Sequence, residues 1–206
     1  MDVVLGNAKY EFAMAYMDDV VVFSRTFEEH LEHLTIVLER MRQAGLTIHP
    51  GKVQLAAPKI NLLGFVVDNG TLRPNEEKLC ALTEYPCPHD VKSLQRYLGM
   101  IAFYRDFIPH CSEISQPLNH LLRKSVRWFW GEQQQSAFLE LSKAVTDNAC
   151  LHLPELNASF VLQTDASDCG LGAVLLQECD GVLRPVAFTS HTLTPAERNY
   201  RYCVHS

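Results

Sequence analysis

The amino-acid sequence predicts an α+β fold, and three features of the chain support this class. Short apolar runs of strand length lie towards both ends of the 206 residues. Between them lie segments whose apolar residues recur with helical spacing. The composition, 47% hydrophobic and 20% charged, is typical of a globular protein and excludes wholesale disorder. No apolar run approaches the roughly 18 residues that a membrane span requires, so we expect no membrane association.

The cysteine pattern indicates a reducing environment. Seven cysteines are scattered along the chain, and no two are spaced as C-x-x-C. An odd and irregular set argues against a disulfide scaffold or a zinc ribbon. The N-terminal residues also lack the long apolar core of a secretory signal. We therefore expect an intracellular protein, either cytoplasmic or nuclear.

Residues 10–24 predict two short strands joined by a turn. Phe12, Met14 and Tyr16 occupy alternate positions and would lie on one side of a strand, and a second apolar run covers Val20–Phe23. The polar pair Asp18-Asp19 lies between the two runs. This order is typical of a hairpin, and it would place both carboxylates at the tip.

A helix is expected over residues 27–44. Thr26 is suited to cap its first turn, and Gly45 is suited to end it. Apolar residues recur along it with a spacing of three or four, so we expect one buried face. The members of this stripe are Leu31, Leu34, Val37, Leu38 and Met41.

The rest of the chain alternates strand and helix signals. The apolar run 61–68 predicts a single strand, and the Asn69-Gly70 pair after it is the strongest local hairpin signal. A change to strand character suggests a domain boundary near 150–158. The remaining elements are expected in this order: a linker at 85–90, a helix over 91–108 stopped by Pro109, a helix over 132–147, and strands over 160–164, 172–177 and 185–189.

The charge distribution is uneven. The chain carries 18 Lys and Arg against 24 Asp and Glu, a net charge of −6 that argues against a dedicated nucleic-acid binder. One basic stretch departs from this balance, with Asp106 and Glu113 as its acids. Its cations are Lys92, Arg96, Arg105, Arg123, Lys124 and Arg127, and its first half contains Tyr97, Phe103, Tyr104 and Phe107. Two interpretations stay open: a face that follows a phosphate backbone, or a helix with core aromatics and solvated cations.

The adjacent carboxylates Asp18 and Asp19 are candidate metal ligands. Two such groups in one tight turn repel each other, and a divalent cation relieves that repulsion. Mg²⁺ suits the position because it prefers oxygen ligands and leaves room for substrate phosphates. The alternative is an ordinary polar turn pair without a metal.

Other candidate sites are interpreted as structural. His30 and His33 lie beside acids on an exposed helix face, but no further Cys or His pair completes a zinc site. Asp168 is expected to form a turn. Cys169 and Cys179 are expected to be small buried side chains. Trp128 and Trp130 are expected to pack the part of the chain before them against the next domain.

The tetrapeptide Tyr16-Met17-Asp18-Asp19 in a hairpin resembles the active-site motif of reverse transcriptases. Further blocks extend this similarity over residues 12–202, in the order of a gypsy-type LTR retrotransposon Pol polyprotein. These blocks are FSRTFEEHLEHL, AGLTIHPGK, LLGFVVDNGTLRP, LQRYLGMIAFYRDFIP, SQPLNHLLRK, WFWGEQQQSAF, TDASDCGLGAVLLQ and RPVAFTSHTLTPAERNY. So many blocks in order make the resemblance specific.

The resemblance implies four parts of the chain. Residues 1–77 would be the C-terminal half of a reverse transcriptase palm, and residues 78–122 the thumb. Residues 123–158 would be a connecting helical region. Residues 159–206 would be the N-terminal part of an RNase H-like α/β domain.

The resemblance also implies roles for single residues. Asp18 and Asp19 would be catalytic, metal-binding carboxylates of the polymerase, and Asp165 would be the first such carboxylate of the RNase H site. The implied cofactor is Mg²⁺ or Mn²⁺, and the implied partner is a template–primer or an RNA/DNA hybrid. The residues that would contact primer or template are Tyr16, Met17, Leu63, Gly64, Phe65, Lys92, Arg96 and Arg105, so the resemblance favours the phosphate-binding interpretation of the basic helix.

In that family, a third palm carboxylate and the fingers precede the Tyr-Met-Asp-Asp motif, and a catalytic Glu follows the Asn-Tyr pair. Only 15 residues precede Tyr16 here, and no acid follows Glu197. We therefore expect a retrotransposon-derived fragment that is inactive alone. Its parent would be an RNA-directed DNA polymerase with RNase H activity, and the other Pol segments would act with it in cis or in trans. The alternative is a non-catalytic host protein that retains nucleic-acid or protein binding.

Overall fold

A computed structural model describes residues 1–147, 150–168, 170–194 and 196–199 of the chain. Cys169 and the last residues from Tyr200 onward lie outside this description. The chain folds into two compact units, Met1–Ala56 and Ala57–Ser206. Among the described residues, no helix is both long enough and apolar enough to cross a membrane.

The first unit is a β-hairpin with three helices. The hairpin expected at 10–24 is confirmed, and its antiparallel register runs from the pair Ala13–Val22 to the pair Tyr16–Asp19. A small core of Leu5, Ala8, Ala13 and Val37 lies between the hairpin and the helices. The elements are α1 (Asp2–Leu5), α2 (Ala8–Glu11), β1 (Ala13–Tyr16), β2 (Asp19–Val22) and α3 (Phe27–Gln43), followed by a 3-10 turn at Pro50–Lys52.

Helix α3 begins as predicted, because the Thr26 hydroxyl accepts a hydrogen bond from the Glu29 N–H at 3.2 Å. Gly45 follows its end with a φ of +69°, a conformation that glycine adopts without a steric penalty. The expected buried stripe is wrong in part. Val37 is buried, but the side chains of Leu31 and Leu38 are 51% and 46% exposed. The small core of this unit covers only the middle of the helix face.

The second unit contains two antiparallel sheets with helices between them in the chain. The first sheet has the strand order β3-β4-β5-β6, and the second has the order β7-β8-β9. The strands are β3 (Lys59–Leu62), β4 (Phe65–Asp68), β5 (Thr71–Pro74), β6 (Leu151–His152), β7 (Phe160–Ala166), β8 (Gly170–Cys179) and β9 (Val182–Thr192). The helices are α4 (Glu76–Thr83), α5 (Val91–Phe103), α6 (Cys111–Ile114), α7 (Gln116–His120) and α8 (Glu132–Asp147), with 3-10 turns at Arg105–Phe107 and Glu197–Asn199.

The single strand expected over 61–68 is wrong, because the chain turns back within it. Leu62 pairs with Phe65, and the two residues between them form the turn. Leu63 and Gly64 have φ values of +52° and +87°, so a two-residue hairpin loop replaces the middle of the expected strand. The apolar Leu63 hides this turn in the sequence. The Asn69-Gly70 turn is confirmed, and both of its residues also have positive φ.

Helix α5 begins at the predicted position but ends at Phe103 instead of Ile108. The Asp90 carboxylate accepts from the Ser93 N–H at 2.7 Å, and the Ser93 hydroxyl oxygen accepts from the Asp90 N–H at 3.1 Å. Hydrogen bonding to the Asp90 carboxyl group by the Ser93 side chain, and then by the Ser93 backbone N–H, holds the pKa of Asp90 below its usual value. At Tyr104 the backbone leaves the helical region, and the following 3-10 turn places Phe107 and Ile108 in the core.

The core of the second unit is centred on Tyr97 of α5, which has no exposed surface. The Tyr97 hydroxyl donates to the Phe138 carbonyl oxygen at 2.9 Å and lies 2.9 Å from the Ser142 hydroxyl. Burial raises the pKa of Tyr97 to about 12. The buried members of this core are Leu82, Leu94, Tyr97, Ile101, Tyr104, Phe107, Ile108, Leu118, Leu121, Ala137, Phe138, Leu141, Val145 and Leu151.

The helix expected over 132–147 is confirmed. The three later strands are confirmed as well, although each is longer than expected. They form a meander in which β8 is central and β7 is an edge strand. Trp128 and Trp130 are half-buried against the core of this unit, with their ring centroids 5.9 Å apart.

Candidate functional site

The Tyr16–Asp19 hairpin presents its tip to solvent. Tyr16 ends β1, Met17 and Asp18 form the loop, and Asp19 begins β2. Met17 has a φ of +50°, and its side chain is 78% exposed. Asp18 and Asp19 are also exposed, so both carboxylates are available to a ligand.

Two adjacent exposed carboxylates form a hard oxygen donor set, which is the chemistry that Mg²⁺ and Mn²⁺ prefer. In the part of the chain that the structure describes, no group of three or more His, Cys, Asp or Glu side chains could hold a metal ion. The tip residues therefore suit a divalent cation as partial ligands. The remaining positions of an octahedral ion would be filled by water, substrate or other carboxylates.

The base of the hairpin is fixed to α3 by a Ser–His cluster. The Ser24 hydroxyl lies 2.7 Å from Nδ1 of His33 and 3.3 Å from Nδ1 of His30. The His33 ring stacks on Phe12 with a centroid distance of 3.9 Å and an interplanar angle of 7°. The expectation that these histidines are exposed is wrong, because the contacts with Ser24 and Phe12 leave both half-buried. Sequence reasoning missed this cluster, although its members come from the FSRTFEEHLEH block.

The Leu63-Gly64-Phe65 segment forms the β3–β4 turn with a lysine above it. The Gly64 carbonyl oxygen accepts from the Asn75 N–H at 3.0 Å. A side chain at Gly64 would collide with Lys78, whose Cε and Cδ atoms lie 3.1 and 3.2 Å from the position of a Cβ. Lys78 also places its ammonium group 5.4 Å from the centroid of the Phe103 ring. No sequence signal had pointed to Lys78.

Phe65 connects this turn to the end of α5. Its ring stacks on Phe103 at 4.8 Å and on Phe107 at 5.7 Å between centroids. Phe103 is 46% exposed, whereas Phe107 is buried. The structure therefore brings the predicted residue Phe65 together with the helix that carries the predicted cations.

The predicted cations on and after α5 are all exposed. Lys92 and Arg96 lie on the helix, and Arg105 lies in the 3-10 turn after it. Among the described residues, the one ion pair of Arg105 is a long contact with Asp106, at 3.8 Å between exposed groups, so its charge remains available to a ligand. Of the interleaved aromatic residues, Tyr97, Tyr104 and Phe107 belong to the core. Of the cations and aromatic residues in this stretch that could face a phosphate backbone, the cations and the half-exposed Phe103 are therefore accessible to a ligand.

Asp165 lies near the end of β7, opposite Gly172 of β8, and is exposed. One of its carboxylate oxygens accepts from the Ala166 N–H at 3.0 Å. The turn that follows closes through a hydrogen bond from the Ser167 N–H to the Gly170 carbonyl oxygen at 2.9 Å. Asp168 lies in this turn, as expected, whereas Cys169 is outside the described residues. Cys179 is half-buried instead of buried.

A polar seam joins α6 to the sheet that carries Asp165. The Ser112 N–H donates to the Ser190 hydroxyl at 2.9 Å, and the Ser112 hydroxyl donates to the Ser190 carbonyl oxygen at 2.8 Å. Thr192 donates to the Ser112 carbonyl oxygen at 3.2 Å. Glu113 accepts from the hydroxyl of Ser167, two residues after Asp165. The sequence carried no signal for this seam, because its partners are 54 to 80 residues apart.

In a comparison with known proteins, the N-terminal and the C-terminal part of the chain each match a protein family. Residues 1–67 match the family described as reverse transcriptase (RNA-dependent DNA polymerase). Residues 130–205 match the RNase H-like domain found in reverse transcriptase. The order of these two matches is the order that the sequence motifs predicted.

Similar proteins agree with these matches. The Transposon Tf2-3 polyprotein of Schizosaccharomyces pombe is 31% identical over 201 residues, which are 97% of this chain and 15% of that protein. The chain thus spans about 15% of the length of this relative.

Solved structures share the fold. A foamy viral protease-reverse transcriptase in complex with ds DNA matches 97% of this chain and 35% of its own, with a TM-score of 0.83 and 24% identity. The foamy viral protease-reverse transcriptase in complex with RNA/DNA hybrid matches with a TM-score of 0.81 over 27% of its own chain, again at 24% identity. Both families match in order, and nearly all of this chain aligns with a small part of a retrotransposon polyprotein, so this chain belongs to the reverse transcriptase and RNase H-like region of gypsy-type LTR retrotransposon polyproteins.

Proposed function

We propose that the chain serves RNA-directed DNA synthesis and RNase H cleavage of the RNA/DNA hybrid, as part of a retrotransposon polyprotein. The observation that carries this proposal is the pair of exposed carboxylates, Asp18 and Asp19, at the tip of an antiparallel hairpin. The foamy viral neighbours, solved with ds DNA and with RNA/DNA hybrid, support nucleic acid as the partner of this chain. The alternative of a non-catalytic host protein is not favoured, because both family matches are to domains of reverse transcriptases and the aligned relative is a transposon polyprotein.

Asp18 and Asp19 would hold Mg²⁺ or Mn²⁺ in the polymerase reaction. When bound, two such ions activate the attacking oxygen and stabilise the leaving group of phosphoryl transfer. The hairpin serves this role by fixing the two carboxylates next to each other. Its β1–β2 hydrogen bonds and the Ser24–His33 contact hold that geometry from below.

Other residues would position the nucleic acid. Tyr16 and Met17, exposed beside the carboxylates, would contact the primer terminus. The Leu63-Gly64-Phe65 turn would contact the primer strand. Lys92, Arg96 and Arg105 would bind backbone phosphates, since all three are exposed cations on one helix and its extension.

Asp165 would contribute one metal-binding carboxylate to the RNase H site. Its exposed position near the end of β7 leaves the carboxylate open to a substrate. In this proposal residues 1–77 are palm, 78–122 thumb, 123–158 connecting region and 159–206 RNase H-like domain. The cysteine pattern supports an intracellular place of action, cytoplasmic or nuclear.

Metal binding by the 206-residue chain tests the carboxylate assignment. Titration with Mn²⁺, followed by electron paramagnetic resonance, should show a site that the double variant Asp18→Asn/Asp19→Asn loses. Asp180→Asn is the matched control, because Asp180 is an exposed turn carboxylate in the β8–β9 connection. Equal Mn²⁺ binding by the wild type and the double variant would refute the role of the hairpin.

A further inference from the structure

The segment from residue 123 to residue 131, between α7 and α8, combines cations with an outward-facing aromatic ring. We call it the 123–131 loop. Its sequence, RKSVRWFWG, contains Arg123, Lys124 and Arg127 and no acid, in a chain with a net charge of −6. All three cations are exposed, and within the described residues none of them makes an ion pair.

The loop is anchored by alternate residues. Val126, Trp128 and Trp130 pack against the core of the second unit, whereas Arg127 and Phe129 between them are exposed. The Trp130 indole N–H donates to the Gln135 side-chain oxygen at 2.8 Å. The Gly131 N–H donates to the Gln134 side-chain oxygen at 3.1 Å. These contacts hold the loop to the first turn of α8, so its outward residues have a fixed position.

Phe129 is 72% exposed, which is unusual for a ring that is held in place. Its ring folds over Gly131, where a Cβ atom would lie 2.8 Å from Cε1 of Phe129. The glycine thus allows the ring to lie close to the backbone, while most of the side chain remains exposed to solvent. An exposed ring in the same loop as three exposed cations fits one kind of ligand well, because a nucleotide offers a base to stack and a phosphate to neutralise.

We propose that the 123–131 loop is a binding site for an unpaired nucleic-acid strand, with Phe129 as the stacking platform and Arg123, Lys124 and Arg127 as the phosphate contacts. Bases within a duplex stack on their neighbours and offer no face to Phe129, so the site selects single strands. This surface is distinct in sequence from the cations of α5 that we assign to template–primer. It does not depend on Asp18, Asp19 or Asp165.

The test is fluorescence anisotropy with the full 206-residue chain and a labelled eight-nucleotide oligo-dT or oligo-U, at several salt concentrations. Phe129→Ala should weaken binding by about 5- to 150-fold, the loss expected for one stacked base, and should leave the salt dependence unchanged. Lys124→Ala/Arg127→Ala should reduce the slope of log K against log salt by about 0.7 for each lost phosphate contact. Phe129→Trp should retain binding, because indole also stacks.

Matched controls separate this site from general electrostatics and from the proposed template–primer contacts. Phe27→Ala removes another exposed ring, and Lys143→Ala removes an exposed lysine of α8, so neither should change oligo-dT binding. Lys92→Ala/Arg96→Ala should weaken binding of a blunt RNA/DNA hybrid and leave oligo-dT binding intact. A variant that loses only hybrid binding would thus have a defect in the proposed template–primer contacts. A variant that loses only oligo-dT binding would have a defect in the 123–131 loop.

Three results would overturn the proposal. The first is oligo-dT binding by Phe129→Ala that equals the wild type. The second is displacement of oligo-dT by polyglutamate as effective as displacement by unlabelled oligo-dT, which would show a site that reads charge alone. The third is no measurable oligo-dT binding by the wild type at low salt. Because Phe129 is exposed, its variants should keep the wild-type melting temperature, and Lys124→Glu provides a second route to the same loss of binding.

Discussion

The Ser24 hydroxyl lies 2.7 Å from Nδ1 of His33, and this contact ties the end of the Asp18-Asp19 hairpin to helix α3. Phe12, at the start of the hairpin, stacks on the ring of the same His33. Both ends of the hairpin therefore meet at one imidazole. The carboxylates at the tip depend on this base for a fixed position, because the hairpin has only four residue pairs.

His33→Ala should loosen the hairpin by removing a hydrogen bond and a ring stack together. We expect a loss of about 1–3 kcal/mol in the free energy of unfolding of the first unit. Amide hydrogen exchange should accelerate in β1 and β2. His49→Ala is the control, because His49 is exposed and should change neither quantity. Unchanged exchange in the hairpin of the His33 variant would contradict the role of this contact.

Gly64→Ala and Gly99→Ala should have opposite effects on stability. Gly64 has a φ of +87°, and its added methyl group would meet Lys78, so we expect destabilisation by more than about 1 kcal/mol. Gly99 lies within α5 with nothing near its Cβ position, so alanine there should stabilise the helix by about 0.5–1 kcal/mol. Urea denaturation of the two variants measures both signs. An equal change in the free energy of unfolding for Gly64→Ala and Gly99→Ala would show that the Leu63-Gly64 turn does not require glycine at position 64.

The stability of the second unit should fall at alkaline pH because of Tyr97. Its pKa is raised to about 12 by burial, from an ordinary value near 10. The unfolded chain releases this proton first, so the stabilisation is complete below about pH 10 and is lost progressively towards pH 12, at roughly 1.4 kcal/mol per pH unit.

Tyr97→Phe provides the check on this pH dependence. The variant loses the hydrogen bond to the Phe138 carbonyl oxygen, so it should be less stable at neutral pH by about 1 kcal/mol. It should also lose most of the decline between pH 10 and pH 12. A decline as steep as that of the wild type would assign the alkaline transition to other groups.

Ser190→Ala should weaken the seam between α6 and β9. The Ser112 N–H would lose its acceptor, and an unsatisfied half-buried donor costs about 1–3 kcal/mol. We expect earlier cleavage of residues 158–199 in limited proteolysis. Thr189→Ala is the control, because Thr189 is the exposed neighbour on the same strand. Identical digestion of both variants would show that the seam does not retain the sheet.

Local patterns in the sequence were enough to predict the elements that local interactions determine. The Tyr16–Asp19 hairpin, the Thr26 cap and the Asn69-Gly70 turn each depend on residues within a few positions of one another. Leu63 was misjudged because an apolar residue at positive φ carries no turn signal. The early end of α5 was missed because the packing of Phe107 and Ile108 in the core decides it.

Some residues around the candidate site could likewise be predicted from local sequence motifs, and others could not. Asp18, Asp19 and Asp165 were assigned from motifs; the structure places all three at exposed positions near strand ends, and their catalytic role stays a prediction. Lys78 above Gly64 and Glu113 beside Ser167 were missed, because each contact joins residues that are well separated along the chain. Only the three-dimensional structure contains such pairs. They therefore carry the information that sequence patterns lack.

The seam between α6 and β8–β9 limits where this chain can be cut into stable fragments and which substitutions its sequence can accept. A side chain at Gly172 would approach the His110 ring to 3.1 Å, and one at Gly170 would approach Glu113 to the same distance. Phe188 of β9 also packs against the core built around Tyr97. A fragment cut near residue 158 would expose that ring and leave Ser190 without its partner. Strands β8 and β9 are thus packed against α6 and the core around Tyr97, and we expect a substitution on one side of the seam to require a compensating substitution on the other.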